Sequence, residues 1–278
     1  MPAPLPLLSL AEIAHREESR LAVGISEVAP ESIPFAGGRA TRDTPGLFTN
    51  TANGVGHNGP VSEDEVSRMV EWYRSAGIEP RVEVSPYVHP TLLEHLGAAG
   101  FMIRMFENVF VCELDRGPTP APPYAVPADV TISMVDPADD AMVRGFSQVV
   151  TAGFAGDVDR VDEASLDVMA RVTRHPRTTS IVALRNGEIV GGGSLELCGD
   201  HGALFGLAVR REHRRIGIQQ AMLAWRLRFA AERGVRFLTI SARPNVATER
   251  NARRMGFTLA YTKAIMVRPG AGLAPVIE

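Results

Sequence analysis

The stretch "FGLAVRREHRRIGIQQAM", from Phe205 to Met222, joins an apolar segment to a helical repeat through an arginine-rich loop. The apolar run "GALFGLAV" (Gly202–Val209) predicts a buried strand. Ile218 and Met222 begin an i, i+4 repeat of apolar residues, which predicts a helix from about Ile216 to Arg233. This part of the chain is therefore predicted to run in the order strand, basic loop and helix.

The loop between the two predicted elements has chemistry suited to an anion. A helix N-terminus presents unpaired N–H groups and the positive end of the helix dipole, and a diphosphate is a natural occupant. Arg214 and Arg215 would add charge-assisted hydrogen bonds, and Gly217 would let the backbone approach a phosphate without a Cβ. Eight arginines stand against two glutamates between Arg210 and Arg236. The alternative is the solvated start of an amphipathic helix.

The composition predicts a globular protein. The 278 residues are 45% hydrophobic with a net charge of −3, which argues against a protein that coats nucleic acid or membranes. No signal peptide and no apolar run of about 20 residues is recognised. Cys112 and Cys198 form no CxxC pair, and the seven histidines show no metal-ligand spacing. We therefore expect a cytoplasmic protein without a metal site.

A proline-rich segment divides the chain. Five prolines occur in "LDRGPTPAPPYAVPAD" (Leu114–Asp129), and such a segment favours an extended, semi-rigid connector. It predicts a domain at 1–115, a linker at 116–128 and a domain at 129–278.

The second half alternates strand and helix signals. Asn186-Gly187 is a strong hairpin signal between two strands, and Gly234 and Gly256 are typical helix stops. The segment from Asp136 to about Val172 has helical periodicity with polar interruptions. The predicted order β-α-β-β-β-α-β-α-β indicates one α/β domain with a mixed (α+β) sheet.

The first half contains a partial echo of the second. The segment Arg81–Val111 aligns without a gap to Phe237–Val267, so that Gly100-Phe101 meets Gly256-Phe257. The shared order of helix, strand, helix, Gly-Phe and strand predicts a duplicated fold. The alternative is two unrelated α/β halves that share a common helix stop.

The second half, from about Val130 to Arg268, resembles the GNAT acetyltransferase superfamily. The acyl-CoA loop of that family reads Gln/Arg-x-x-Gly-x-Gly/Ala after a strand, and Arg214-Arg215-Ile216-Gly217-Ile218-Gln219 stands in this place. Gln219 departs from the pattern, so its side chain must point away from the phosphates. The resemblance implies the acyl-CoA N-acyltransferase (GNAT) fold, in a tandem of a degenerate N-terminal and a complete C-terminal domain.

The resemblance also implies acetyl-CoA as the cofactor, with pantetheine along the edge of the "FGLAV" strand and the pyrophosphate on the loop. It implies these cofactor-binding residues: Leu207, Ala208, Val209, Arg214, Arg215, Ile216, Gly217, Ile218, Gln219, Gln220, Asn245 and Asn251.

The implied reaction is direct attack of a primary amine on the thioester in a ternary complex. The acceptor, a small molecule or a peptide, is not identified by the sequence, and a homodimer is one option for the assembly. Glu196 is the first candidate base, although an ordinary strand carboxylate is the alternative interpretation. The family's acid, a tyrosine, is replaced by Ala252, and Tyr261 is the nearest other phenol in sequence.

The sequence allows three other functional interpretations. Gly54-x-Gly56-x-x-Gly59 formally matches a dinucleotide fingerprint, but Pro60 and an acidic helix start favour a plain loop. The arginine-rich helix could belong to a helix-turn-helix, but its apolar face requires a core and the flanking strands do not fit that motif. A non-catalytic acyl-CoA sensor is the alternative to an enzyme, since the tyrosine is absent.

Overall fold

The computed structural model describes residues 8–114, 121, 125, 127–155 and 161–276. The chain forms two compact units, one of Met1–Val109 with Leu259–Val276 and one of Phe110–Thr258 with Ile277–Glu278. The divisions fall at a long strand and near the start of the last strand. Most of the predicted linker 116–128 lies outside the described residues. The boundaries expected at 115 and 129 stay a prediction.

The first unit begins with a helix and three strands. Strand β2 pairs antiparallel with β1 and β3, β3 runs parallel to β4, and β4 pairs antiparallel with β11, the last strand of the chain. Its elements are α1 (Leu10–Val28), β1 (Glu31–Phe35), β2 (Gly38–Arg42), β3 (Thr51–Asn53), α2 (Glu63–Arg74), β4 (Arg81–Val84), α3 (Pro90–Ala98) and β5 (Met102–Glu113), the last of which ends in the second unit.

Local chemistry explains where α2 begins. Ser62 and Glu65 form a capping box, in which each side chain accepts from the other residue's backbone N–H. Val61 and Val66, on either side of the cap, are both buried in the core of this unit. This local chemistry sets the start of α2 at Glu63.

The second unit contains five further strands. Strands β6 to β9 pair antiparallel in succession, and β9 runs parallel to β10. Its elements are β6 (Val130–Met134), α4 (Asp140–Ala155), α5 (Glu163–Arg174), β7 (Thr178–Arg185), β8 (Glu188–Cys198), β9 (His201–Val209), α6 (Ile218–Ala231), β10 (Phe237–Ala242) and α7 (Ala247–Arg254); β11 (Thr258–Val267) follows and belongs mainly to the first unit.

The region after β6 holds two helices where the sequence predicted one helical segment. Helix α4 ends at Ala155, and α5 begins at Glu163, where the Asp162 carboxylate caps it by accepting from the Ser165 N–H at 2.7 Å. Asp162 lies in the polar interruption of the periodicity, and by capping α5 it starts a second helix there.

The predicted repeat of elements is confirmed. The order α2, β4, α3, β5 in the first half matches α6, β10, α7, β11 in the second. In each case a glycine with positive φ, Gly100 (81°) or Gly256 (82°), precedes the last strand. The chain therefore has a mixed α/β fold with a mixed sheet and an internal duplication of element order.

Among the described residues, none of the helices is long and apolar enough to cross a membrane.

Candidate functional site

The centre of the second unit is the place where β9 separates from β10. Their parallel pairing runs from His201–Phe237 to Leu204–Ile240, whereas β9 continues to Val209. Among the described residues, the backbone groups that β9 directs towards β10 have no ladder partner on that strand from Phe205 onward. This free edge is where the sequence placed Leu207, Ala208 and Val209 as contacts of an extended ligand.

A bulge in β9 lies within the same segment. Ser194 of β8 pairs with Phe205, and Gly192 pairs with Ala208, so β9 has one extra residue between the two pairs. Gly206 takes up the irregularity with a φ of 62°, in the region that favours glycine. The bulge redirects the β9 backbone immediately before the basic loop.

The basic loop leads into the start of α6, which no side chain caps. A short 3-10 turn (Arg211–His213) follows β9, and α6 begins at Ile218 with Gly217 as its N-cap at a φ of 87°. The first hydrogen bond inside the helix is donated by the Ala221 N–H to the Gly217 carbonyl, at 3.0 Å. The N–H groups of the three residues before Ala221 have no acceptor within the helix, as at any helix N-terminus.

The loop backbone is also strained. Arg215 has a φ of 68°, a left-handed conformation that costs a non-glycine residue about 1–2 kcal/mol. Arg215 and Gly217 both have positive φ, and backbone conformations of this kind can form concave N–H arrangements that bind anions. Arg214 and Arg215 are exposed, and the Arg214 Nε donates to the Val209 carbonyl at 2.9 Å. The arginines and the free amides thus occupy one short loop.

The structure explains how glutamine is accommodated at position 219. The Asn251 Nδ2 donates to the Gln219 Oε1 at 2.7 Å, and the Gln220 Nε2 donates to the Asn251 Oδ1 at 3.2 Å. Both glutamine side chains therefore point towards α7 and leave the loop free. Asn251, predicted as a cofactor contact, links α6 to α7, and its contact with a cofactor stays a prediction.

Two further predicted positions lie around α7. Asn245 precedes the helix with a φ of 64°, and its N–H donates to the Glu249 Oε2 at 2.7 Å, while the residue itself is exposed. Ala252, at the family's tyrosine position, is 0% exposed and lies in the core with Met255 and Phe257. The alanine fills a core position in this chain.

The candidate base, Glu196, is buried in β8 and ion-paired. Its Oε1 accepts from the Arg177 Nε at 3.1 Å and lies 3.0 Å from the Arg177 Nη2. Because side chains alternate along a strand, Glu196 shares a face with Gly192, which packs against α4. Its catalytic role stays a prediction.

The candidate acid, Tyr261, lies in the first unit and is buried. Its hydroxyl donates to the Glu18 Oε1 at 2.7 Å. Burial, with the neighbouring Glu18, raises the pKa of Tyr261 well above its usual value. The phenol therefore holds its proton firmly, and its role as an acid also stays a prediction.

Glu18 belongs to a buried ionic cluster of the first unit that the sequence did not predict. The Lys263 Nζ lies 2.7 Å from the Glu83 Oε2, 3.5 Å from the Glu18 Oε1 and 3.7 Å from the Glu107 Oε2. Burial opposes the charge of Lys263, but the three carboxylates outweigh it and raise the pKa of the lysine. Burial raises the pKa of Glu18.

The loop of the first unit that corresponds to the basic loop cannot present its amides in the same way. The Gly56 N–H donates to the Ala36 carbonyl at 2.7 Å, and the Val61 N–H donates to the Thr91 Oγ1 at 2.8 Å. The Ser62 N–H donates to the Glu65 carboxylate at 2.9 Å. Helix α2 is thus capped and starts with acidic residues, which repel a phosphate.

The run Gly191–Gly193 in β8 is a feature that the sequence interpretation did not use. A Cβ on Gly192 would lie 2.8–3.0 Å from Val150 and Phe146 of α4, and one on Gly193 would lie 3.2 Å from the Arg226 guanidinium of α6. The absence of side chains lets helices approach both faces of β8 beside the bulge. Three consecutive glycines inside a predicted strand were the available signal.

Among the described residues, no group of His, Cys, Asp and Glu side chains could hold a metal ion. The basic loop instead offers the backbone amides of an uncapped helix start and the guanidinium groups of two exposed arginines, Arg214 and Arg215.

A strand with an unpaired edge that leads into an uncapped helix start is the arrangement that the resemblance to the GNAT superfamily predicted for this part of the chain. Residues 153–257 match the model of the Acetyltransferase (GNAT) family, and this part of the chain is a GNAT domain. No match was found among curated proteins.

Solved structures with the same fold cover most of the chain. A GCN5-related N-acetyltransferase from Kribbella flavida is 18% identical with a TM-score of 0.70, over 94% of this chain and 98% of that one. A tandem GNAT protein from the clavulanic acid biosynthesis pathway is 14% identical with a TM-score of 0.60, over 86% of this chain and 83% of that one. A GCN5-related N-acetyltransferase from Sphaerobacter thermophilus is 21% identical, with a TM-score of 0.57, over 76% and 69%.

Proposed function

We propose that the protein transfers an acetyl group from acetyl-CoA to a primary amine, by direct attack within a ternary complex. The observation that carries the proposal is the free edge of β9 from Phe205 to Val209, which leads directly into the uncapped start of α6. An extended amide-containing arm matches the first feature and a diphosphate matches the second. The family match at 153–257 supports acyl transfer as the reaction class.

Each part of the cofactor has a proposed set of contacts. The backbone of Leu207, Ala208 and Val209 would hydrogen-bond the pantetheine arm, with Asn245 at its other side. The loop from Arg214 to Gln220 would bind the pyrophosphate through its N–H groups, with the arginines adding charge. When bound, the thioester supplies the activated acyl group, and the chain's part is to hold it in place and exclude water.

Two side chains are proposed as proton-transfer groups. Glu196 would take the ammonium proton, directly or through water, after release from Arg177. Tyr261 would protonate the leaving thiolate only if its bond to Glu18 were broken. Positioning and backbone donors can supply much of the rate for attack on a thioester.

A non-catalytic acyl-CoA sensor is the second candidate. Ala252 favours it, because it is 0% exposed and provides no proton donor where the family has one. The free cysteines Cys112 and Cys198 support the proposed cytoplasmic location. We also propose that the first unit is a degenerate copy without CoA, because its corresponding loop amides are occupied by protein acceptors.

Two measurements test the proposal. Calorimetry with acetyl-CoA is expected to show one site per chain, and no binding at millimolar ligand would refute both transferase and sensor. A thiol-release assay over a panel of small-molecule amines and peptides then separates the two. Turnover with any amine supports the transferase, whereas binding without turnover on every amine supports the sensor.

A further inference from the structure

Arg226, in the third turn of α6, is 0% exposed. Its Nε donates to the Met222 carbonyl of its own helix at 3.2 Å, and its Nη1 donates to the Ser194 carbonyl at 2.8 Å and to the Phe205 carbonyl at 3.3 Å. Its Nη2 has no hydrogen-bond partner among the described residues. Through Nη1 alone, this fully buried arginine donates to carbonyl groups of two adjacent strands, β8 and β9.

The two strand carbonyls mark one edge of the β9 bulge. Ser194 and Phe205 are ladder partners, and the extra residue of β9 follows immediately after them. Arg226 therefore ties β8 and β9 together at the point where the register changes. Gly193 leaves room for the Arg226 side chain, because a Cβ at position 193 would lie 3.2 Å from the guanidinium carbon.

The guanidinium also carries charge that no carboxylate neutralises in these contacts. Burial alone lowers the pKa of Arg226 to about 9, so the side chain remains a cation at neutral pH. Burying an unpaired cation is costly, and a hydrophobic residue would fill the same space without that cost. The cost indicates a role beyond packing.

The Phe205 carbonyl, which accepts from Arg226, belongs to the first peptide unit of the bulge. The peptide bond between Phe205 and Gly206 is trans and planar, so the Gly206 N–H points away from the carbonyl that Arg226 holds. A donor on a carbonyl polarises its peptide unit and strengthens the N–H on the other side as a donor.

We propose that Arg226 is a positioning residue for the acyl-transfer site: it fixes the β9 bulge and polarises the bulge amide towards the acyl carbonyl. The inference rests on the proposed function, because it takes the free edge of β9 as the place of the thioester. Arg226 itself touches no substrate. It acts through the peptide units of Ser194 and Phe205.

The test uses Arg226→Met, which removes the donors and charge, Arg226→Lys, which keeps the charge, and Arg228→Met as a control. Arg228 is an exposed arginine on the same helix. Each variant is titrated with acetyl-CoA by calorimetry, and the infrared carbonyl frequency of bound acetyl-CoA labelled with carbon-13 is recorded. Turnover is measured by thiol release with an amine accepted by the wild type.

We expect Arg226→Met to bind acetyl-CoA within about 3-fold of the wild type, to lose the bound-state carbonyl shift and to lose about 100-fold in kcat, as when an oxyanion donor is removed. Arg226→Lys should recover part of the shift, and Arg228→Met should match the wild type. A folded Arg226→Met with wild-type frequency and kcat would overturn the inference. If Arg226→Met does not fold, two other variants take its place: Gly193→Ala, which displaces the guanidinium, and Arg226→Lys. A wild-type carbonyl frequency of bound acetyl-CoA in both variants would overturn the inference.

The outcomes also separate this inference from the proposed function. Failure of the wild type to bind acetyl-CoA refutes both. Wild-type binding with equal carbonyl frequencies in all variants refutes the role of Arg226 alone. A frequency shift that depends on Arg226, without turnover on any amine, refutes the transferase and supports the role of Arg226 in polarising the bound thioester.

Discussion

Reversing one charge in the basic loop gives a prediction whose size follows from the geometry. Arg214 is exposed, and its Nε is held by the Val209 carbonyl at 2.9 Å, so the guanidinium is oriented at the loop before any ligand arrives. We expect Arg214→Ala and Arg214→Glu to weaken acetyl-CoA binding in two separable steps.

The first step is the loss of a charge-assisted hydrogen bond. Such bonds contribute about 1.5–3 kcal/mol, and we take the lower end because Arg214 is exposed, which gives about a 10-fold rise in Kd for Arg214→Ala. The second step is repulsion by the new carboxylate, about 1 kcal/mol for each phosphate charge at about 4 Å in water. Arg214→Glu should therefore weaken binding by about 50-fold or more.

Calorimetry at two salt concentrations checks both steps. The difference between the two variants should shrink at about 1 M salt, where the Debye length falls to about 3 Å. Arg228→Glu makes the same charge change near the other end of α6, and Glu63→Ala removes a charge from the first unit; both should leave Kd within about 2-fold. Equal losses from Arg214→Glu and Arg228→Glu, or a loss from Glu63→Ala, would contradict the assignment of the loop.

Three further predictions concern stability and catalysis. Lys263→Met removes the cation shared by three buried carboxylates, of which Glu83 keeps only Arg81 at 3.8 Å, and should cost about 3–5 kcal/mol of unfolding free energy at pH 7 in urea titrations. Because the pKa values of these carboxylates then rise, the folded variant binds protons more tightly than the unfolded chain, and the loss should shrink towards pH 5. Gly192→Ala places a Cβ about 3.0 Å from Phe146 and should cost about 1–3 kcal/mol, whereas an unchanged urea midpoint would refute the tight packing. Glu196→Gln should lower kcat by about 100-fold if the carboxylate is the base, while Tyr261→Phe should lower it equally only if the phenol is the acid; a wild-type kcat in either variant removes that role.

Local conformations that depend only on residues a few positions apart could be predicted from the sequence. Asn186 and Gly187 have φ values of 53° and 80°, as a tight hairpin turn requires. Ser62 caps α2 through Glu65, and Gly256 follows α7. In each case the residues that determine the conformation lie within a few positions of one another, so the sequence contains the whole cause.

Features that depend on distant partners could not be predicted. Gln219 points away from the loop because Asn251, 32 positions later, donates to it. Tyr261 is engaged by Glu18, 243 positions earlier. The burial of Arg226 depends on Gly193 and on strand carbonyls that only the fold brings close.

Hydrogen exchange with mass spectrometry, with and without acetyl-CoA, tests the central claim most directly. In the proposed binding mode, the cofactor lies on the free edge of β9 and the start of α6, and the corresponding loop of the first unit binds no cofactor. We therefore expect acetyl-CoA to protect peptides covering residues 205–220 and to leave those covering 54–66 unchanged. Protection of residues 54–66, or no protection of 205–220 at saturating acetyl-CoA, would contradict it.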